Sequence, residues 1–370
     1  MKAAINLNIL KSAVEKVSHG IPTRSTITVL TGVLIEAENN TTLKLTSNDI
    51  EMGIIVRCPA VIEEKESIVL PGKVFYGIIK GMDGNTVELV TRPENSVTEI
   101  TGGNSFFKLS GLKVADFPVF PPFDETNFFT LKSDQLRVGF SQTYFAASKD
   151  ETRSSLTGVL IEKKDGYICI AATDGNRLSL HKISLLSEPV HDQIRYIIPA
   201  RVATEVMRSL EGETVKVVPG RGEILFDMGT VSIYSRLIEG DFPDYDSILP
   251  HDFMATISVN RKKFLEVLER VSSISYPEAG TIFFHFEGNR LEMACETQEV
   301  GAAREGLEVA VEGQTVDLAF NSRFLIECVR VAPWDKILIG INGEVSPTLI
   351  FGDTDDFQYI IMPLKVRDEE

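Results

Sequence analysis

Apolar residues recur along the chain in two rhythms. At helical spacing, Ile9, Leu10, Ala13, Val14 and Val17 share one face, as do Leu136, Phe140 and Tyr144, and again Phe264, Leu265, Leu268 and Val271. Such stripes predict amphipathic helices that bury one side each. Asn8, Ser133 and Asn260 stand where N-caps belong, since a short polar side chain there accepts from the first unpaired amides. The second rhythm has a period of two. Leu43-x-Leu45, Ile168-x-Ile170 and Leu291-x-Met293 each follow a turn, at Asn39-Asn40, Asp165-Gly166 and Gly288-Asn289, and predict β-hairpins. Further on, a strand runs into a second short helix three times: 68–71 then 74–79, 196–199 then 202–210, and 316–320 then 324–331.

These signals repeat because the sequence does. Leu30-Thr31-Gly32-Val33-Leu34-Ile35-Glu36 recurs identically as Leu156-Thr157-Gly158-Val159-Leu160-Ile161-Glu162, and Asp116-Phe117-Pro118 returns as Asp241-Phe242-Pro243. A third, weaker copy starts near Ile282. The period is about 125 residues, long enough for each copy to bury its own core, unlike a solenoid repeat. At 370 residues the chain also exceeds what one core usually serves. The expected fold class is α+β: three similar domains in tandem at 1–125, 126–251 and 252–370, with Pro121-Pro122 and Pro250 in the links. Tandem copies serve either stability alone or a curved, closed array.

Charge changes this picture. With 53 acidic and 37 basic side chains the chain carries −16, which argues against ordinary duplex binding. The distribution argues otherwise. Helical segments 8–20, 72–82, 133–148, 200–211, 260–271 and 321–331 hold 13 Lys or Arg against 7 Asp or Glu, leaving the remainder strongly acidic. The cations are Lys11, Lys16, Lys73, Lys80, Arg137, Arg201, Arg208, Arg261, Lys262, Lys263, Arg270, Arg323 and Arg330, with Arg24 and Lys149 just beyond helix ends. No base-reading motif accompanies them, so phosphate contact without sequence specificity is the expected mode. For any single one, a solvated helix face is the plainer account.

Candidate chemistry is sparse. Cys58, Cys169, Cys295 and Cys328 lack metal or redox spacing and sit among apolar neighbours, as reduced core cysteines do. The N-terminus has no signal-peptide core and no run of about 18 apolar residues occurs, so a cytoplasmic protein without membrane contact is expected; the glycosylation-type patterns at Asn39 and Asn40 are set aside for that reason. An acidic hydrolase built on Asp174, Arg177 and His181 is the enzymatic alternative. It lacks support: there is no GxSxG, GxxxxGK[ST] or HExxH, and His19, His181, His191, His251 and His285 have no metal-ligand spacing. Gly220-Arg221-Gly222 is a hairpin turn rather than a nucleotide fingerprint. No catalytic residue, metal or cofactor is expected, and without a phosphate-binding loop the chain offers no site for ATP. A second alternative is a plain interaction scaffold of three similar domains.

Two further motifs complete a resemblance: Ala172-Thr173-Asp174-Gly175-Asn176-Arg177-Leu178 and the C-terminal Tyr359-Ile360-Ile361-Met362-Pro363-Leu364-Lys365-Val366. With the three α+β domains and the Asp-Phe-Pro pair, they make the whole chain resemble the bacterial beta sliding clamps, the processivity subunits of replicative DNA polymerase III. The resemblance implies the DNA clamp fold, with helices lining a central hole, antiparallel sheets outside, and a head-to-tail homodimer closing the ring. It implies duplex DNA as a partner, met through cations such as Arg24, Lys73, Lys149, Arg201 and Lys263. Phe107, Leu109 and Ile274 look like the apolar part of the dimer contact, although core packing would equally use them. The resemblance further implies a pocket between the second and third domains for short apolar motifs of the polymerase catalytic subunit, clamp loader, other polymerases and mismatch-repair proteins. The matching positions are Leu156, Gly158, Thr173, Gly175, Arg177, Leu178, Pro243, Ser247, Ile248, Ile360, Met362, Pro363 and Leu364. Apolar and Met side chains suit a groove that repacks around different ligands, and Thr173, Gly175 and Arg177 can orient a peptide. Two positions depart from the family: Asn176 stands where many relatives carry His, and Ser247 where Arg is common, which bears on the order of partner affinities. The acidic tail Arg367-Asp368-Glu369-Glu370 runs past the usual end and could perturb peptide entry.

Overall fold

The computed structural model describes residues 1–92, 96–121, 123–124, 126–164, 166–187, 194–275 and 280–365. Asp165, Pro122, His191, Val366 and the acidic tail, all named above, lie outside these residues. Among the described residues the chain forms six α-helices: α1 (Leu7–Ser18), α2 (Gly72–Gly81), α3 (Ser133–Thr143), α4 (Ala200–Ser209), α5 (Arg261–Ser272) and α6 (Ser322–Val331).

The apolar stripes account for how these helices seat. In α5, Phe264, Val267, Leu268 and Val271 are all buried, at positions that stack on one side of a helix. They pack with Leu325, Cys328 and Val329 of α6 and with Phe284, Met293 and Ile339 from the strands. Burial of each such side chain contributes about 2 kcal/mol. Asn260 caps α5 as expected, its side chain accepting from Lys263 N at 3.1 Å. The α1 cap differs from expectation. Asn6, not Asn8, accepts from the amides of Asn8 and Ile9, because the strand Lys2–Asn6 runs straight into the helix and leaves Asn6 in extended backbone.

The chain divides into two compact units, one chiefly Met1–Ser133 with Glu205–Leu237, the other chiefly Asp134–Leu185 with Ile238 onward. The division passes through the middle repeat, which contributes to both. In the first unit a five-stranded antiparallel sheet runs in the order Val61–Glu64, Lys2–Asn6, Thr86–Arg92, Val97–Gly102, Ser105–Ser110. A second sheet begins with first-repeat strands Ser67–Pro71, Gly32–Ala37, Thr42–Asn48 and Met52–Pro59. It continues without a break into Val231–Arg236, Glu223–Asp227, Thr214–Pro219 and Phe129–Lys132 of the next repeat.

The second unit is arranged alike. One sheet follows Arg195–Pro199, Gly158–Lys164, Tyr167–Thr173 and Arg177–Ser187, then crosses to the third-repeat strands Phe357–Ile361, Thr348–Phe351, Lys336–Ile341, Ala255–Asn260 and Ala310–Gly313. The other holds Leu318–Asn321, Thr281–Glu287, Arg290–Thr297 and Gly301–Glu308. Sequence periodicity finds the hairpins but gives no sign that strands of successive repeats join, because main-chain pairing leaves no side-chain signature.

All four cysteines are free and buried. Burial pushes the thiols of Cys58 and Cys169 up to about 11 each.

Candidate functional site

Of the sequence-predicted pocket positions, Thr173, Gly175, Arg177, Leu178, Ile360 and Met362 lie at the junction where the second repeat's sheet meets the third's. Leu178 faces Ile360 across the junction and Arg177 faces Ile361. Since successive strand residues point to opposite sides, this register sorts the side chains. Leu178 and Ile360 join an apolar cluster with Leu160, Cys169, Leu180, Phe242, Tyr245 and Leu349, whereas Ile361 belongs to the helix-packed core.

Arg177 lies on the core side and is 4% exposed. Its Nε donates to Asp174 Oδ2 at 3.0 Å, one Nη to Glu327, and the other to Phe145 O at 2.6 Å. The guanidinium also lies over the Phe324 ring at 4.1 Å. Burial alone would lower its pKa, but Tyr359 and Glu327 hold it above the ordinary value. The guanidinium is thus engaged in the junction itself. Thr173 is likewise committed: its hydroxyl donates to Arg177 O at 2.5 Å and accepts from Gly175 N at 3.1 Å. Gly175 adopts φ +91°, a region L side chains avoid, and a Cβ there would lie 2.6 Å from the Arg153 guanidinium. Arg153 therefore lies across the turn, a neighbour to which no periodicity or motif points.

The exposed rim comes from elsewhere. Pro243, Ser247 and Ile248 sit on the link after the second repeat, with Ile248 45% exposed, while Leu156 and Gly158 are buried, Gly158 against Ile197 and Ile238. The link is pinned by a polar cluster. Tyr245 donates to Glu162 Oε2 at 2.5 Å, Arg195 pairs with Glu162 and donates to Phe242 O at 3.0 Å, and Lys164 pairs with Asp246 at 2.9 Å. Met362 and Pro363 are half-buried, Met362 N donating to Asn176 O at 2.8 Å. Leu364 N donates to Ala319 O at 2.7 Å, and its side chain borders a separate cavity of about 480 Å³ with Phe283, His285 and Val345.

His181, on the same strand, is 8% exposed and its Nδ1 has no hydrogen-bond partner among the described residues. It borders a cavity of about 270 Å³ with Asp134, Lys182 and Asp356. Burial pulls its pKa from 6.5 down to about 4, against the raising influence of Asp356. The unfolded chain then binds the proton first as pH falls, so His181 favours the fold above pH 6.5 and withdraws that contribution between 6.5 and about 4. His181→Leu should flatten stability over this window relative to the wild type by about 3 kcal/mol, measured by urea unfolding at stepped pH. Together with the inward engagement of Arg177 and Asp174, this isolation offers no nucleophile–base pair. No group of His, Cys, Asp or Glu among the described residues is placed to hold a metal, and no described helix is long and apolar enough to cross a membrane.

The six helices carry 13 basic and 6 acidic side chains. Part of this charge is paired, as Lys16–Glu211, Arg270–Glu305 at 2.7 Å and Arg330–Glu269 at 2.8 Å. Arg24, Lys73, Lys149 and Lys263 are exposed and form no ion pair among the described residues; Arg201 is exposed at the start of α4. Phe107 and Leu109 lie on Ser105–Ser110, an edge strand whose neighbour Phe106 is 56% exposed. Ile274 follows α5 and packs against its core.

Tandem α+β repeats, joined by unbroken antiparallel sheets and bearing their surplus cations on helices, define a DNA clamp. Three family models match consecutive parts of the chain: the N-terminal domain of the DNA polymerase III beta subunit over residues 1–121, the central domain over 130–244 and the C-terminal domain over 246–365. A beta sliding clamp of Chlamydia muridarum is 27% identical over 370 residues, covering 100% of both chains. The crystal structure of the DNA polymerase sliding clamp from Bacillus subtilis superposes with a TM-score of 0.94 at 27% identity, covering 99% of this chain and 100% of that one. A sliding clamp from Bartonella birtlesii bound to griselimycin gives a TM-score of 0.92 at 26% identity, with 99% and 100% covered. The chain belongs to the DNA polymerase III beta subunit family, the bacterial sliding clamps, which are processivity factors without catalysis of their own.

Proposed function

We propose that two copies of the chain close head to tail into a ring around duplex DNA, hold it by non-specific phosphate contact, and tether polymerases and repair proteins near the nucleoid through the second-junction patch. The observation that carries this reading is the segregation of charge: helices with 13 basic and 6 acidic side chains in a chain of −16. An acidic body repels nucleic acid while the helices attract it, and a topological link needs only weak attraction, which permits sliding. After loading by a clamp loader onto nicked circular plasmid at moderate salt, the chain should be retained on circles and lost on linearisation. Equal retention on both forms would favour the non-encircling scaffold instead.

Ring closure is assigned to the edge strand Ser105–Ser110 of one copy and Gly301–Glu308, an edge of the third repeat's sheet, in the other. An exposed edge presents unpaired main-chain groups ready to extend a sheet, and Phe107, Leu109 and Ile274 would supply the apolar contact. Phe107→Asp should convert the dimer to monomer in sedimentation velocity at micromolar concentration.

The partner site is assigned to the rim of Pro243, Ser247, Ile248, Met362 and Pro363 over the Leu178–Ile360 floor, with Thr173, Gly175 and Arg177 fixing the turn beside it and Leu364 bordering the separate cavity next to Phe283. The relative bound to griselimycin supports a binding surface of this kind. Short apolar motifs of the polymerase catalytic subunit, clamp loader and mismatch-repair proteins are the expected occupants, and two identical pockets per dimer would let two partners share a ring.

A further inference from the structure

The turn beside the second-junction patch has a twin in the first repeat. In Asn48-Asp49-Ile50-Glu51-Met52-Gly53, Ile50 N donates to Asn48 Oδ1 at 2.7 Å, Glu51 N and Met52 N donate to Asp49 Oδ1 at 3.1 and 2.8 Å, and Arg236 N donates to Glu51 O at 2.8 Å. In Thr173-Asp174-Gly175-Asn176-Arg177-Leu178 the same bonds recur. Gly175 N donates to Thr173 Oγ1 at 3.1 Å, Asn176 N and Arg177 N to Asp174 Oδ1 at 2.9 and 3.2 Å, and Met362 N to Asn176 O at 2.8 Å. The third residue has positive φ in both, 81° at Ile50 and 91° at Gly175. Across the strand pair that follows, Gly53 faces Tyr234 as Leu178 faces Ile360. The two floors therefore correspond residue by residue.

The links that follow the repeats begin alike, with Phe117 packed on Leu34 and Val69 and Phe242 clustered with Leu160 and Ile197. Three residues on they part. Phe120 returns to the junction, where a Cβ on Gly53 would lie 1.9 Å from its ring, and it packs on Tyr234 with centroids 4.6 Å apart. Phe123 meets the same Tyr234 edge-on at 6.0 Å, and Asn48 Nδ2 donates to Pro118 O at 3.2 Å. Tyr245, the matching residue of the second link, turns instead to Glu162, whose register partner is Cys169. Cys169 in turn pairs with Lys182, four positions along the strand from Leu178.

We propose that the first junction holds a counterpart of the partner groove which the chain closes with its own Phe120, so that each chain offers short apolar peptides a single groove, at the second junction. Gly53 makes the closure possible, since a larger side chain there would occupy the place of the ring. A covalently linked occupant acts at millimolar effective concentration, above that of most free motifs. The inference rests on the partner-site reading above.

The probe is a free peptide with the sequence of residues 117–123, Phe-Pro-Val-Phe-Pro-Pro-Phe, titrated into the dimer and followed by NMR and calorimetry. Wild type should take one equivalent per chain, and Phe120→Ala two, the added site shifting the signals of Tyr234. Phe120→Asp, whose charge is expelled from an apolar groove, gives a second route to the vacated site, and Phe120→Leu should keep the count at one. Circular dichroism checks that each variant is folded. One equivalent for every folded variant overturns the role of Phe120 and leaves the second-junction site standing. No binding to wild type counts against that site itself, and the inference falls with it.

Discussion

Arg177→Met should lower the unfolding midpoint of the unit that contains it by about 6–12 °C in calorimetry, the equivalent of about 3 kcal/mol for a unit of this size. The substitution keeps most of the volume and removes the charge. It would leave the half-buried carboxylates of Asp174 and Glu327 without Arg177 and take from Phe145 O the Arg177 donor. Glu327, whose carboxyl burial would raise but Arg177 and Arg323 hold below the usual range, would retain only Arg323, at 2.9 Å. Because Arg177 joins the second repeat's strand to α6 of the third, the loss should extend to hydrogen exchange of Phe357–Ile361. A change below about 1 kcal/mol would mean the guanidinium is dispensable to the junction and would return it to the peptide-orienting role its position in the family motif implies.

The second large effect concerns DNA. Replacing Arg24, Lys73, Lys149, Arg201 and Lys263 together with Ala should reduce the slope of log affinity against log salt by about 0.9 for each phosphate left unneutralised. Retention of loaded rings on circular plasmid should shorten while binding of partner peptides at the second junction is unchanged. An unaltered slope would sink the assignment of these five cations and leave the paired arginines, Arg270 and Arg330, to be tested in their place. All five side chains reach water, as Lys80 and Lys262 also do, whereas Lys11 is held by Met82 O at 2.7 Å.

The fold was legible where chemistry is local. Apolar stripes located the helices, and the identical copies at 30–36 and 156–162 located the repeats, since side-chain burial follows backbone period. What escaped was non-local. The Asn6 cap depends on where a strand ends, and the joining of Met52–Pro59 to Val231–Arg236 is a main-chain pairing over a separation of about 180 residues. At the candidate site, the family motif singled out Arg177 and Thr173, but the orientation of Arg177 follows from strand register and its partners Glu327 and Phe145 lie far off in sequence. The Phe120 contact escaped for a different reason. The residue looks like part of a proline-rich link, and only the bare surface of Gly53, visible in three dimensions, gives its ring a place to go.

The burial of every native thiol has a practical corollary. Cys58, Cys169, Cys295 and Cys328 are each at most 3% exposed, and burial raises the pKa of all four; only the thiolate attacks an alkylating reagent or a disulfide. The natural sequence therefore serves as its own cysteine-free background. A single cysteine introduced on an exposed strand would then react ahead of the native thiols, so a site-specific fluorophore, or under the proposed closure a covalent bridge between Ser105–Ser110 and Gly301–Glu308, can be made without first mutating the core.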